Sequence, residues 1–219
     1  MDFEFIRAYT PLYIEAAGMT LRISFLGILL SSAIGLLCSL VRIIKIPVLK
    51  SIVNGYIEVS RNTPLLIQLF FLYFGLPKIG VVLSSESCAV TGLAFLGGSY
   101  MAEAFRTGME QVPVIQSESG LSLGLTKGQV FRHIILPQAV TTSVPVFCAN
   151  IIFLIKETSV FSAVALADLM FVAKDLIGIY YKTDEALLML VAAYLIILLP
   201  ISLLCSWIER RVRYAEFGN

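Results

Sequence analysis

Charge is scarce in this chain. Of its 219 residues only 14% are charged and 58% are hydrophobic, with a mean hydropathy of +0.89. A soluble domain carries about 25% charged residues, so the deficit excludes an ordinary soluble fold and points to a polytopic membrane protein. A basic excess is also missing. The 16 Lys and Arg against 15 Asp and Glu leave a net charge of +1, which gives nucleic acid no electrostatic footprint. There is one histidine, His133, and there are four cysteines, Cys38, Cys88, Cys148 and Cys205, without ligand-like spacing. Three of the cysteines sit in apolar runs, where a free thiol acts as a small hydrophobe; neither a metal site nor a disulfide framework is expected. No Gly-x-x-x-x-Gly-Lys-Ser/Thr phosphate loop occurs, and no Gly-x-Ser-x-Gly, His-Glu-x-x-His or cysteine–histidine grouping. The chain therefore lacks its own means of ATP hydrolysis and the constellations of an intramembrane protease or hydrolase. Met1-Asp2-Phe3-Glu4 is acidic and lacks the basic region of a cleaved signal peptide, so insertion through the first span is expected.

What is present is a set of long apolar runs. They predict an all-α fold with five spans, at about 17–41, 51–76, 89–109, 137–166 and 186–208, each above the roughly 20 residues that a 30 Å hydrocarbon core requires. The mixed residues 1–16 are expected along the membrane surface, residues 17–213 form a single membrane domain, and 214–219 a tail. Arg42, Lys45, Lys50, Arg106, Lys127, Arg132, Arg210, Arg211 and Arg213 collect on one side, against Arg7, Lys78, Lys174 and Lys182 on the other. Nine against four puts the first side in the cytoplasm, with the N-terminus outside and the C-terminus inside. Gly27, Ser31 and Gly35 in the first span, and Ala94, Gly98 and Ala102 in the third, form small-residue stripes suited to close helix packing, within the chain or between subunits.

The cytoplasmic loop 110–137 stands out because it carries charges and three glycines, Gly120, Gly124 and Gly128, beside Leu121, Leu123, Leu125, Val130 and Phe131. A partly apolar, ordered loop on a membrane protein suits docking of a soluble partner. A short helix containing Glu118, a left-handed turn at Gly124, a second short helix and a restart at Leu136-Pro137 are expected.

These residues resemble the "EAA" loop of ABC importer permeases: Glu118-Ser119-Gly120, three residues, Gly124, nine residues, Ile134, one residue, Leu136-Pro137. Ser119-Gly120 departs from the family's Ala-Ala, and glycine costs a helix about 1 kcal/mol relative to alanine. Thr20-Leu21, Arg61-Asn62-Thr63-Pro64-Leu65, Glu103-Ala104-Phe105-Arg106, Leu136-Pro137-Gln138-Ala139 and Lys156-Glu157-Thr158-Ser159 are similar to the polar amino acid subfamily. The resemblance implies a bacterial cytoplasmic-membrane permease of the type I importer fold. It implies a second permease copy or paralogue, two ATPase subunits that bind ATP and Mg, and an extracytoplasmic amino-acid-binding protein. Glu118, Ser119, Gly120, Gly124, Ile134, Leu136 and Pro137 would couple to the ATPase. No cofactor is implied for this chain itself.

Two charges fall inside the spans. Arg61 lies well inside the second span, where an arginine costs about 2.5–3.5 kcal/mol on insertion scales and needs a partner or a wet cavity. Asn62 and Thr63 are capping residues and Pro64 suits a first turn, so a break near 61–63 is expected, with Arg61 and the new helix start facing an anion. Glu157 in the fourth span could answer an α-ammonium, and neighbouring Lys156 would point elsewhere. Glu58, three residues earlier, and Glu157 itself are alternative partners for Arg61. Thr63, Gln68, Asn150, Thr158 and Ser159 are further substrate-contact candidates, although polar residues in spans also serve as helix-to-helix glue. With no cluster of intramembrane acids, a neutral polar substrate such as glutamine or cystine is favoured. A secondary transporter or channel would also use intramembrane charge and broken helices, but the chain has no internal repeat and its loop would then lack a partner.

Overall fold

Long apolar runs with few breakers make long helices, and the computed structural model is helical, without strands among its described residues. It describes residues 1–44 and 46–217, with side chains placed for all of these except Ile43, Ile44 and residues 213–217. Lys45 and the side chain of Arg213, both counted on the basic side, lie outside the described residues, as do residues 218–219 of the tail.

Helix α1 spans Phe3–Ile44. It passes residue 16 without a break, so the segment expected along the surface belongs to the same helix as the first span. Its early turns are held by the far end of the chain: Phe5, Tyr13 and Ala16 are buried against α8 (Leu169–Tyr180) and α9 (Thr183–Phe217). Tyr13 Oη donates to the Ala186 carbonyl at 2.7 Å, and Lys182 Nζ pairs with Asp2 Oδ2 at 3.2 Å. The Phe5 backbone N–H and Lys182 both hold the Asp2 carboxyl below its ordinary pKa.

The middle of α1 packs on α4 (Ser85–Glu110) through the two small-residue stripes. Ser31 Oγ donates to the Leu93 carbonyl at 3.2 Å. A Cβ built on Gly35 would stand 2.5 Å from Met101 Cβ and 2.9 Å from the Ala102 nitrogen, so only glycine permits this crossing. The stripes thus meet each other inside one chain. Three stretches among the described residues are long and apolar enough to cross a bilayer, 3–42, 127–164 and 183–212. Helix α4 is long enough, at 26 residues, but its ends carry Glu86, Glu103, Arg106 and Glu110. The second expected span is broken into α2 (Pro47–Arg61) and α3 (Leu65–Phe70), which runs on through wide and tight turns to Ile79.

Past α4, α5 (Val114–Ser122) and α6 (Lys127–Val130) form the polar loop, and α7 (Leu136–Glu157) follows. The helix does not restart at Leu136-Pro137. It runs through from Lys127, because Phe131–Ile135 widens into a π turn just before Pro137. In a regular helix the proline ring would strike the carbonyl four residues back; the wide turn makes room.

After α7 the chain tightens over Thr158–Val164 and turns, with Ala165 at φ 54°, into α8. Asp168 caps α8, accepting from Phe171 N–H at 2.9 Å, while its Oδ2 is buried without a partner. Burial, opposed by hydrogen bonds from Phe171 and Met170, pushes this carboxyl from 3.8 up to about 6. A raised carboxyl pKa favours the protonated native state, so stability is lost as the pH rises from about 3.8 through about 6. At about 1.4 kcal/mol per unit the loss is on the order of 3 kcal/mol. Asn caps a helix as well as Asp does. Asp168→Asn is therefore expected to raise the midpoint of thermal unfolding in detergent at pH 7.5 by about 5–10 °C and to make no difference below pH 4 (about the carboxyl's unperturbed pKa). A lower midpoint at pH 7.5 would contradict this account of the site.

Candidate functional site: a charged cavity at a helix break and the loop 110–137

Helix α2 stops at Arg61 because Pro64 follows: the residue before a proline is pushed out of the helical region and proline itself has no N–H to give. The orphaned carbonyls are answered by side chains. Thr63 Oγ1 donates to the Val59 carbonyl at 2.8 Å, Asn62 Nδ2 to that of Glu58 at 2.8 Å, and Gln68 Nε2 to those of Ser60 and Thr63, both at 3.0 Å. Asn62 and Thr63 therefore finish α2 rather than start α3, contrary to the capping role expected of them. Pro64 begins α3 with no side-chain cap. The regular part of α3 is six residues long, too short to offer an N-terminal anion site by itself, and Arg61 is the basic side chain at the break.

A cavity of about 330 Å³ opens beside the break. Arg61 and Thr63 stand on one wall, Tyr100 from α4 on another, and Phe153, Glu157 and Val160 close it from α7 and its extension. Arg61 lies over the Tyr100 ring, its guanidinium carbon 5.2 Å from the ring centroid. Its carboxylate partner is Glu103 Oε2 at 3.6 Å, neither Glu58 nor Glu157. Glu103 is almost buried and is also bound by Arg42 from α1, Nη1 to Oε1 at 2.6 Å, and by Arg106, Nη2 to Oε2 at 2.8 Å. Arg106 extends the cluster to Glu110 at 2.6 Å.

The loop 110–137 is equally well structured. Helix α5 ends in a left-handed turn at Gly124, φ 83°. Leu125 N–H bonds the Gly120 carbonyl at 3.2 Å and Gly124 N–H that of Leu121 at 3.0 Å, the paired pattern that terminates a helix at glycine. Thr126 and Gln129 cap α6 reciprocally. Gly120 is buried, and a Cβ there would stand 2.7 Å from Ile134 Cδ1 and 2.9 Å from Val130 Cγ2. The glycine that departs from Ala-Ala is thus where α5 lies on the turn leading into α7. Val114, Ile115, Leu121 and Leu123 are exposed, Leu123 by 82%.

A family model described as "Binding-protein-dependent transport system inner membrane component" matches residues 27–214. The chain belongs to this family. It is 31% identical over 217 residues to the probable amino-acid ABC transporter permease protein PatM of Vibrio harveyi, covering 98% of this chain and 97% of that one. It is 32% identical over 214 residues to the glutamine transport system permease protein GlnP of Escherichia coli K12, covering 97% and 98%. Among solved structures, the crystal structure of an amino acid ABC transporter with histidines superposes with a TM-score of 0.92 at 34% identity, covering 96% of this chain and 99% of that one. An inward-facing MetNI methionine ABC transporter shares the fold, with a TM-score of 0.75 at 20% identity, covering 94% and 98%.

In this inner membrane transport component the expected site residues divide. Arg61, Thr63 and Glu157 share the cavity, while Lys156 is exposed outside it. Gln68 is a staple of the helix break, its Oε1 buried and unpartnered. Asn150 Nδ2 donates to the Tyr100 carbonyl at 3.1 Å, fixing α7 against α4. Thr158 is buried and bonds the Ile155 carbonyl at 2.8 Å, and half-buried Ser159 follows it. Two cavity neighbours escaped the sequence reading as site residues. Glu103 and Tyr100 sit one helical turn apart on α4, and only the Glu103–Arg106 motif hinted at the first.

Proposed function

We propose that this chain is the permease subunit of an ATP-binding-cassette importer for a neutral polar amino acid. An extracytoplasmic binding protein delivers the amino acid, and separate ATPase subunits, which hold ATP and Mg, drive the cycle. The observation that carries the reading is the cavity itself: one guanidinium, Arg61, and one carboxylate, Glu157, on opposing elements, with aromatic and aliphatic walls between them. A zwitterion needs both charges answered. The lining offers no second acid or base for a charged side chain, and relatives are named as glutamine and amino-acid permeases.

The topology that fits is five crossings, N-terminus outside and C-terminus inside, which sets 110–137 toward the ATPase. There Glu118 and Ser119 are exposed, Gly120 and Gly124 shape α5, and Ile134, Leu136 and Pro137 carry its movement into α7. A second permease, identical or paralogous, would cover the exposed charges beside the break.

Reconstitution tests this. The chain, co-expressed with its ATPase and placed in proteoliposomes with the binding protein, is expected to accumulate labelled amino acid only when ATP is present. Uptake by the chain alone, driven by an ion gradient, would overturn the reading.

A further inference from the structure

We propose that Glu103 is the resting partner of Arg61, a positioning residue that holds the guanidinium while the cavity is empty, yields it to the ligand carboxylate and reclaims it afterwards. The inference rests on the reading of Arg61 as the carboxylate-binding residue and adds to it what limits the tightness of that site.

Three features point to it. The first is charge. Around Glu103 stand Arg42, Arg61 and Arg106, and among the described residues Glu103 and Glu110 are the only carboxylates paired to them. Three positive charges against two negative leave one unanswered, which is the charge of one ligand carboxylate. The second is contact length. Arg42 and Arg106 reach Glu103 at 2.6 and 2.8 Å, with Arg42 anchored further by Asn54 at 3.1 Å. Arg61 stands off at 3.6 Å, an ion pair without a hydrogen bond. Glu103 therefore stays satisfied when Arg61 leaves. The third is access. Arg61 is the one arginine of the cluster that lines the cavity; Arg42 is mostly covered, and Arg106, though as exposed as Arg61, is turned to Glu110.

A competing anion weakens binding of another anion to the same guanidinium, and the coupling is reciprocal. Removing it should tighten the site, an outcome that damage to the fold cannot imitate. The purified permease–ATPase complex in lipid nanodiscs, without binding protein, provides the test. The probe is a uniformly labelled mixture of amino acids, all of which share the carboxylate. Glu103→Gln is expected to lower the half-saturating concentration about three- to fivefold and, in proteoliposomes supplied with the binding protein, to slow ATP-driven uptake, because release becomes harder. Glu103→Asp draws the charge back by about one methylene and should tighten the site in the same direction but less, about twofold; it decides the matter alone if the Gln variant fails to assemble. Arg61→Ala should abolish saturable binding, and adding Glu103→Gln to it should restore nothing. Unchanged or weaker binding in the Glu103 variants overturns the role of Glu103, as does tightening that persists without Arg61. Binding that survives Arg61→Ala overturns the reading of the cavity itself.

Discussion

Arg61→Ala is expected to reduce amino-acid uptake at least about a hundredfold while the transporter still assembles. Two losses add. A charge-assisted hydrogen bond to a carboxylate contributes about 1.5–3 kcal/mol. Truncating one partner of a desolvated charge pair leaves the other unpaired, at a further cost of about 2 kcal/mol or more. Their sum, about 3.5–5 kcal/mol, exceeds the roughly 2.8 kcal/mol that separates a hundredfold change. The fold has little at stake in the same side chain. Its ion pair to Glu103 is long and partly solvated, worth no more than about 1 kcal/mol, and Glu103 keeps Arg42 and Arg106. The helix break is maintained by Thr63, Asn62 and Gln68, none of which needs Arg61. Arg61→Lys should recover only part of the activity, since an ammonium lacks the planar fork that matches a carboxylate. Labelled uptake measured beside the yield of intact complex checks this. Normal uptake kinetics in Arg61→Ala would remove the carboxylate role, and loss of the complex would show the residue to be structural.

How much of this the sequence disclosed follows from the range of each interaction. The break expected near 61–63 was legible because a proline acts locally, on its own few residues. The left-handed turn at Gly124 was legible for the same reason, glycine being nearly alone in adopting φ near 83° cheaply. The small-residue stripes were legible as packing surfaces, though only the meeting of Gly35 with Met101 and Ala102 shows what they pack on. The partner of Arg61 was not legible. Glu103 lies far along the chain on α4, and Glu58 and Glu157 satisfied the same sequence rules. Continuity through Pro137 escaped as well, because a π turn is a compromise between proline and the packing of α7 and leaves no residue-type signal. Gly120 misled in a useful way. As a helix former it is poor, and its reason lies in the proximity of Val130 and Ile134, a contact between segments.

The exposed face of α5 gives the second large expected effect. At about 100° per residue, Val114, Ile115, Glu118 and Ser122 point away from the buried Gly120, with Leu121 at the margin and Leu123 at the helix end. Such a face is costly to leave in water, and under the proposed reading a docked ATPase would cover it, with Glu118 the charge at its centre. Ile115→Asp and Leu123→Asp, alone or together, place a charge on this face. Neither side chain is buried within the chain, at 61% and 82% exposed, so stability should change by no more than about 0.5 kcal/mol. Against a partner the same charge is desolvated and unpaired, a cost of several kcal/mol. The double variant is therefore expected to insert and purify as the native chain does, to lose at least about a hundredfold in affinity for the ATPase, and to show no ATP-driven uptake. Pull-down of the ATPase together with thermal unfolding of the permease alone separates the outcomes. Retained association with full uptake would move the docking surface elsewhere, and an unfolded variant would show that α5 is held by its own chain more firmly than its exposure indicates.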